Sequence, residues 1–281
     1  MRPIRDAWVL QVEVTSCCSR RCVQCTRLCH HRQPDEHWRL TAVDLADVLA
    51  TLRPRWQGKV GIIGGEPTIH PEFPELCNVV AREWTRQGRW AGLWTAGGSA
   101  FNRHRALIDS SFSWIALNDK RGADCLHQRM FVASRDAVPD VALRRRIQDA
   151  CWVQRDWAPT IAPSGVWFCE VAASISAVLW PEKRGWQLAD PWETYGPADY
   201  KSRRQACDWC GMCLPQQRDH VDGKVEFVSK SWQAELNTGR HRVPYGLALA
   251  DLRIDTWEQF LELAHDWRPG EYAPGRAKGG I

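Results

Sequence analysis

The sequence predicts an α/β fold with a parallel sheet, followed by a smaller cysteine-rich region. Between residues 8 and 150, short apolar segments alternate with segments of helical periodicity, an order typical of parallel sheets. After residue 150 this alternation stops, and cysteines recur among turn-forming residues instead. A third observation agrees with the first two. Cysteine, glycine and polar residues follow the predicted strands. Parallel α/β folds place their functional sites at these carboxyl ends of the strands.

Four strands, each followed by a helix or a polar loop, are predicted in the first region. Strand patterns cover residues 8–14, 60–63, 90–95 and 113–118, and helical patterns cover residues 41–53, 71–88, 102–109 and 138–150. Thr41 and Asp44 form a near capping box at the start of the first helix, which Pro54 ends. The second helix opens with Pro71 and stops at Gly88.

The cysteine-rich region is predicted to begin with a β-hairpin. Pro163, Ser164 and Gly165 separate two apolar runs, as a tight turn between strands does. A helix is predicted over residues 170–179 and another over residues 255–267, before a Gly- and Pro-rich tail that we expect to be mobile. We therefore divide the chain into a core domain (1–150), a cysteine-rich domain (151–235), and a C-terminal helix with a flexible tail (236–281).

The composition is that of an ordinary globular protein. The chain has 281 residues, of which 44% are apolar and 25% charged, with a formal charge of +4. No apolar run approaches the roughly 18 residues of a membrane span, and the N-terminus lacks the apolar core of a signal peptide. We therefore expect a cytoplasmic protein whose twelve cysteines include metal ligands rather than disulfides. The mild positive charge permits an anionic substrate such as a nucleotide.

Three cysteines near the N-terminus form the most informative motif. Cys18, Cys22 and Cys25 have the spacing C-x3-C-x2-C, so one short loop can present three thiolates. Three thiolates can hold three irons of a cubane cluster and leave the fourth iron open for chemistry. The alternative is a single zinc ion with a fourth ligand from nearby, such as Cys17, Cys29, His30 or His31.

A second motif, Gly64-Gly65-Glu66-Pro67, follows the next predicted strand. Together the two motifs resemble those of the radical S-adenosylmethionine (SAM) enzymes. The resemblance implies a partial (β/α)6 barrel and a [4Fe–4S] cluster on Cys18, Cys22 and Cys25, whose open iron chelates the amino and carboxylate groups of SAM. It also implies that Gly64 and Gly65 let the backbone approach that amino group, because they lack a Cβ. One residue departs from the family pattern, since Gln24 stands where an aromatic residue usually precedes the third cysteine.

Further contacts follow from position alone. The resemblance places Thr95 and Asn118 at strand ends where they would touch SAM. We expect the polar loop after Asn118 to face the same end of the predicted barrel. Its candidates for binding substrate are Asp119, Lys120, His127 and Gln128.

The second set of cysteines resembles the twitch domain, a shortened relative of the SPASM domain that holds one auxiliary [4Fe–4S] cluster. The resemblance implies ligation by Cys151, Cys169, Cys207 and Cys210, which lie before the hairpin, after it, and in a later C-x2-C. Cys213 is the rival to Cys151, because C-x2-C-x2-C is itself a compact ligand run. A structural zinc site with four thiolate ligands is the alternative.

The function implied by the resemblance is reductive cleavage of SAM to methionine and a 5′-deoxyadenosyl radical. That radical would abstract hydrogen from a small polar or nucleotide-linked substrate, for oxidation or rearrangement. The implied partners are the substrate and a reductant such as flavodoxin or ferredoxin. Modification of a ribosomal peptide, or hypermodification of a base in nucleic acid, stays open. The non-enzyme alternatives are a two-cluster electron carrier and a zinc-stabilised binding module.

Overall fold

A computed structural model describes residues 1–120, 125–156 and 159–267 of the chain. The predicted mobile tail lies outside these residues. The strands are β1 (Val9–Glu13), β2 (Lys59–Ile63), β3 (Ala91–Thr95), β4 (Trp114–Leu117), β5 (Leu126–Gln128), β6 (Thr160–Ala162), β7 (Gly165–Trp167), β8 (Arg218–His220), β9 (Val225–Val228) and β10 (Gly246–Leu249). The helices are α1 (Ala42–Leu52), α2 (Phe73–Glu83), α3 (Ser99–Arg103), α4 (Arg105–Ser111), α5 (Ser134–Ala137), α6 (Val141–Asp149), α7 (Trp152–Asp156), α8 (Glu170–Leu179), α9 (Gln205–Asp208), α10 (Lys230–Leu236) and α11 (Trp257–Ala264).

The main sheet has the strand order β4-β3-β2-β1-β6-β7. Strands β1 to β4 are parallel neighbours in chain order, and β6 extends the other edge of β1 in the same direction. Strand β7 returns antiparallel to β6. The α/β class and the parallel sheet are therefore confirmed. The six strands do not come from six successive βα units, however, because the predicted hairpin supplies the last two.

Local signals set the ends of several elements as expected. The Thr41 hydroxyl accepts a hydrogen bond from the Asp44 N–H at 3.1 Å, and the Asp44 carboxylate accepts one from the Thr41 N–H at 3.3 Å. These reciprocal bonds cap α1. Gly88 has φ +74° and ends the turn after α2, a conformation that glycine adopts without strain. The predicted helix over residues 102–109 is two short helices instead, α3 and α4, which meet at His104.

The hairpin between β6 and β7 needs glycine at its turn. Gly165 has φ +118°, and a Cβ there would lie 2.5 Å from the carbonyl oxygen of Trp186. The backbone of Trp186 exchanges hydrogen bonds with Val166 at this point, so the hairpin carries a third extended segment beside it. Any larger residue at position 165 would push that segment away.

Pairing between distant segments was not predicted from the sequence. Strand β5 pairs antiparallel with β8, and β9 pairs parallel with β10. The largest hydrophobic core contains buried residues from Ile4 to Leu236, so it crosses the predicted domain boundary at residue 150. Among the described helices, none has the length and apolar character needed to cross a membrane.

Candidate active site

The first cysteine loop follows β1, at the carboxyl edge of the parallel strands. Cys18, Cys22 and Cys25 lie close enough together for their charges to interact. Burial raises the pKa of both Cys18 and Cys22 to about 12. Cys25 differs, because the Cys29 thiol donates a hydrogen bond to it and lowers its pKa to about 6. The three thiols are thus gathered in a sheltered place, and a bound cation would stabilise their thiolate forms.

These donors fit an iron–sulfur cluster by their chemistry, since thiolates are the usual ligands of such clusters. All twelve cysteines are present as free thiols. Within the described ranges, no three or more His, Cys, Asp and Glu side chains stand close enough together to hold a single metal ion.

Gln24 anchors this loop to a distant part of the chain. Its backbone has φ +54°, and its side chain is fully buried. The amide nitrogen donates to the Phe227 carbonyl at 2.9 Å, and the amide oxygen accepts from the Phe131 N–H at 3.1 Å. The backbone N–H of Gln24 donates to the Glu226 carboxylate at 2.8 Å. The amide is therefore occupied by backbone groups of the protein.

Glu226 supports the same loop through a buried ion pair. Its carboxylate lies 2.9 Å from Nε2 of His31, whose Nδ1 lies 2.9 Å from the Arg242 carbonyl. Both ring nitrogens of His31 face acceptors, so the protonated ring satisfies both. Burial lowers the pKa of His31, but the hydrogen bond and charge of Glu226 outweigh it, and the net pKa is raised. Sequence analysis missed Glu226, since an isolated acidic residue gives no motif.

The Gly64–Pro67 loop packs directly on the start of the cysteine loop. The Gly65 N–H donates to the Thr15 carbonyl at 2.7 Å, and the Glu66 N–H donates to the Cys17 carbonyl at 2.8 Å. A Cβ on Gly65 would lie 2.2 Å from the Cys17 oxygen, and one on Gly64 would lie 2.3 Å from the Thr15 oxygen. Glycine is therefore required at both positions, because the backbone of this loop directly contacts the backbone at the start of the cysteine loop. Its predicted role toward SAM remains a prediction.

The Glu66 carboxylate joins the ends of β2 and β3. It accepts hydrogen bonds from the N–H and hydroxyl of Thr68 at 3.1 and 2.7 Å, from the Thr95 hydroxyl at 2.7 Å, and from the Ala96 N–H at 2.7 Å. The Thr95 hydroxyl also accepts from the Gly97 N–H at 3.0 Å. Both predicted SAM contacts are thus engaged within the protein.

The remaining predicted SAM-binding residues lie near the Glu66 carboxylate. Pro67 is buried and opens a single helical turn, Pro67–Ile69. The backbone N–H of Asn118 donates to the Thr95 carbonyl at 2.8 Å, and its side chain is half-buried just past the end of β4. Asn118 therefore stands beside Thr95 at the carboxyl edge of the sheet, as its position in the sequence predicts.

Two predicted substrate-binding residues stand beside the first cysteine loop. Lys120 Nζ lies 2.8 Å from Nε2 of His127, and Nδ1 of that ring lies 2.9 Å from the Val23 carbonyl. Burial first, and then the Lys120 charge, lower the pKa of His127 to about 3, so the ring is neutral and accepts from the ammonium group. The charge of Lys120 interacts with Cys22 and Cys25. This pair therefore supplies a positive charge next to the predicted cluster.

The other two predicted substrate-binding residues differ in their surroundings. The backbone carbonyl of Asp119 accepts a hydrogen bond from the Cys125 thiol at 2.7 Å. Gln128 is buried, and its amide nitrogen lies 3.2, 3.0 and 2.9 Å from the carbonyls of Gly211, Met212 and Leu214. Gln128 therefore holds the second cysteine loop.

The structure brings all five cysteines of the second set to one cavity of about 30 Å³. They are Cys151, Cys169, Cys207, Cys210 and Cys213. Burial raises the pKa of Cys169 to about 12 and raises those of Cys207, Cys210 and Cys213 well above their usual value. Cys151 interacts with each of the other four. Cys151 and Cys213 both remain candidates for the fourth ligand.

The surroundings of Cys169 favour a thiolate once a cation is bound. Cys169 precedes the first residue of α8 and makes no cap hydrogen bond, but the backbone N–H groups of Ala172 and Val171 lie near enough to oppose the rise in its pKa. The positive end of a helix stabilises a negative charge in this position. Four thiolates are the donors of an auxiliary cluster and of a structural zinc ion alike. In the described residues, however, the sulfurs do not stand close enough together for a single metal ion.

A buried arginine lies between the two cysteine sites. The Arg27 guanidinium donates to Glu13, Gln11 and Glu170, each at 2.6 Å. Arg27 is two residues after Cys25, and Glu170 is one residue after Cys169. Sequence analysis did not single out this network. The sequence does contain a signal for this network. Gln11 and Glu13 are polar residues at alternate positions of β1, whose other residues are apolar.

Comparison with known proteins gives a partial likeness. No protein-family model matches the chain. GTP 3′,8-cyclase of Chlorobaculum tepidum is 31% identical over 70 residues, which is 25% of this chain and 20% of that protein. The chain therefore matches about one fifth of the length of that relative.

Two solved structures show a weak likeness to the chain. The structure of BtrN in complex with AdoMet and 2-DOIA has a TM-score of 0.45 and 13% identity, over 72% of this chain and 88% of that one. Streptococcus suis SuiB bound to S-adenosylmethionine has a TM-score of 0.33 and 15% identity, over 53% of this chain and 32% of that one. The sequence match is confined to these 70 residues and leaves the substrate and the reaction open.

Proposed function

We propose that this protein is a radical SAM enzyme with its reactive centre at the carboxyl ends of β1 to β4. Cys18, Cys22 and Cys25 would hold a [4Fe–4S] cluster. When bound, the cluster would supply the electron that cleaves SAM to methionine and a 5′-deoxyadenosyl radical, which abstracts hydrogen from the substrate. The substrate class we favour is a small polar or nucleotide-linked molecule, and the electron would come from a protein such as flavodoxin or ferredoxin.

One observation carries the proposal. The two motif loops, which lie about forty residues apart in sequence, are joined by hydrogen bonds from Gly65 to Thr15 and from Glu66 to Cys17. The cysteine triad and the glycine loop therefore form one unit at the sheet edge, where α/β folds bind ligands. A two-cluster electron carrier would have no need of this second loop.

The chain's own residues have distinct tasks in this proposal. The hydrogen bonds of the Glu66 carboxylate would keep the ends of β2 and β3 in place under SAM. Lys120 would place a positive charge beside the negatively charged cluster, and neutral His127 would hold that ammonium by accepting its hydrogen bond. Burial of the three thiols would exclude water from the cluster.

We extend the proposal to an auxiliary [4Fe–4S] cluster on Cys169, Cys207, Cys210 and either Cys151 or Cys213. Residues 151–235 would then form the twitch-like domain, and 1–150 the radical SAM domain. The convergence of all five thiols on one cavity supports this extension. A zinc ion bound to the same thiols is the competing interpretation.

The test uses anaerobically reconstituted protein with dithionite and SAM, in which iron is counted and 5′-deoxyadenosine is measured. We expect about eight irons per chain, four for each cubane cluster. Cys22→Ala should abolish 5′-deoxyadenosine formation and leave about four irons, because the second site does not use this residue. The matched control is Cys77→Ala, which removes a buried thiol of α2 outside both sites. Continued SAM cleavage by Cys22→Ala would refute the ligand assignment.

A further inference from the structure

A cavity of about 280 Å³ opens between the first cysteine loop and the hairpin. Its wall includes Glu13, which ends β1, and Ala162, which ends β6, so it lies at the carboxyl edge of the parallel strands. Trp38 and Arg32 from the cysteine-loop side also line it. A second cavity of about 540 Å³ adjoins it and shares Glu13 and Ala162. Such edges are the usual binding sites of parallel α/β folds.

Arg32 is the unusual residue of this cavity. It is 7% exposed, and its charge interacts with those of Glu13 and Cys29 without a hydrogen bond or close salt bridge to either. Its Nε is buried from solvent without an acceptor. A buried N–H group that loses its hydration without gaining an acceptor is unfavourable. A group of this kind calls for a partner from outside the chain.

Arg27, five residues earlier, shows how the same fold treats a structural arginine. Arg27 is 8% exposed, and three side-chain oxygens accept its hydrogen bonds at 2.6 Å. The two arginines are equally buried, so burial does not explain the difference between them. What separates them is that Arg27 faces the interior and Arg32 faces a cavity.

The acidic residues of the wall already have partners. The Glu13 carboxylate accepts from Arg27, and Glu36 accepts from the Gln33 N–H at 2.6 Å on the exposed side. Asp44 and Asp47 line only the adjoining cavity, on the side of α1. Arg184 also lines the cavity and adds a second positive charge to that of Arg32.

A hydroxyl group lines the same cavity. Ser164 lines both cavities, and its oxygen accepts a hydrogen bond from Nε1 of Trp167 at 2.9 Å. The hydroxyl proton of Ser164 then points away from that bond and can be donated to a ligand. A guanidinium fork with a neighbouring hydroxyl is a typical receptor for a carboxylate or a phosphate.

We infer that this cavity binds an anionic group of the substrate, a carboxylate or a phosphate, through Arg32 with help from Ser164 and Arg184. The substrate is then a small molecule with its anionic end at Arg32 and its remainder in the adjoining cavity. The inference rests on the proposed function only in naming the anion as part of the substrate.

The experiment measures the thermal unfolding midpoint of the reconstituted holoprotein as inorganic phosphate or sodium acetate is added. At about ten times Kd, the bound anion should raise Tm by about 3 °C. Arg32→Met should lose this shift, because the guanidinium that would bind the anion is removed. Arg39→Met is the control, since Arg39 is an exposed arginine of the same segment that does not line the cavity. It should keep the full shift.

Three outcomes would overturn the inference. One is the absence of a Tm shift with both anions in the wild-type protein. Another is a full Tm shift in Arg32→Met, which would place the anion elsewhere. The last is loss of the shift when SAM is saturating, which would make the SAM carboxylate the ligand. If wild-type protein forms no 5′-deoxyadenosine, the proposed function fails, but the anion shift still decides whether the cavity binds an anion.

Discussion

Single residues decide how the first cysteine loop is held, and Gln24 is the clearest case. The radical SAM resemblance drew attention to it as a polar residue beside a cluster ligand. In the structure its amide hydrogen-bonds to the Phe131 N–H and the Phe227 carbonyl, and both partners are backbone groups. The backbone of Gln24 lies in the left-handed region, and these two fixed partners stabilise that conformation.

We therefore predict that Gln24→Leu destabilises the first loop. The substitution leaves two buried backbone groups without partners, at a cost of about 1–3 kcal/mol each. Iron at the first site should fall while the second site keeps its iron, measured by iron counting and denaturant unfolding. Gln24→Gly relieves the backbone strain but also lacks the amide, so it should lose iron too. Exposed Gln57→Leu is the control. Full iron in Gln24→Leu would contradict an anchoring role.

Thr95 illustrates a residue with two possible roles. Position alone predicts contact with SAM, while the structure engages its hydroxyl with Glu66 and the Gly97 N–H. A hydroxyl that donates and accepts within the protein stabilises the loop whether or not SAM is present. The two roles can be separated by measuring stability without SAM.

We predict that Thr95→Val lowers the free energy of unfolding by about 1–3 kcal/mol without SAM, since the Gly97 N–H and one Glu66 oxygen each lose a partner. Chemical denaturation measures this change, and isothermal titration measures SAM affinity. Thr95→Ser retains the hydroxyl and should restore stability. If Thr95→Val unfolds like the wild type and only SAM affinity falls, the hydroxyl acts on SAM directly.

At the scale of elements, the short strand β5 connects the two cysteine loops. Successive side chains of a strand point to opposite faces. His127 accordingly meets the Val23 carbonyl in the first loop, and Gln128 meets three carbonyls of the second loop. Three residues of strand thus fix the position of one cysteine site against the other.

We predict opposite effects on the two iron sites from two matched substitutions. Gln128→Leu keeps the size of the side chain but removes the amide donor from the Met212 and Leu214 carbonyls, while Gly211 keeps its bond from Gln216. Iron at the proposed second site should therefore fall. The first site should keep its iron and form 5′-deoxyadenosine. Gln24→Leu should give the reverse pattern, which makes each variant the control for the other. Equal loss from both sites in either variant would show general unfolding instead.

For the whole molecule, the cores on the two sides of residue 150 are continuous. Strand β6 lies beside β1, and Arg27 in the first half is bound by Glu170 in the second. The largest hydrophobic cluster includes residues from both halves, among them Trp84 and Trp167. We therefore expect the two predicted domains to fold together.

The prediction is that the full chain unfolds in one transition and that residues 1–150 alone do not fold. Without β6, the edge of β1 is uncovered, and Arg27 loses one of its buried carboxylates. Circular dichroism and tryptophan fluorescence should give coincident unfolding curves for the full chain. A cooperatively folded 1–150 fragment, or two separated transitions, would contradict a shared core.

The sequence by itself determined the features that depend on neighbouring residues. The order of strands and helices, the cap of α1, the hairpin turn at Gly165 and the spacing of the cysteine motifs all depend on contacts within a few positions. Such signals are readable because local geometry limits which residues fit. The α/β class and the parallel sheet followed from them.

Only the tertiary structure decided the contacts that hold the sites. Arg27 reaches Glu170 across 143 positions, and Gln24 reaches Phe227 across 203. No local pattern encodes such pairs, because a buried polar residue takes its partner from whatever chain the fold brings near it. For the same reason the sequence could not distinguish Arg27, which is bound by the protein, from Arg32, which faces a cavity.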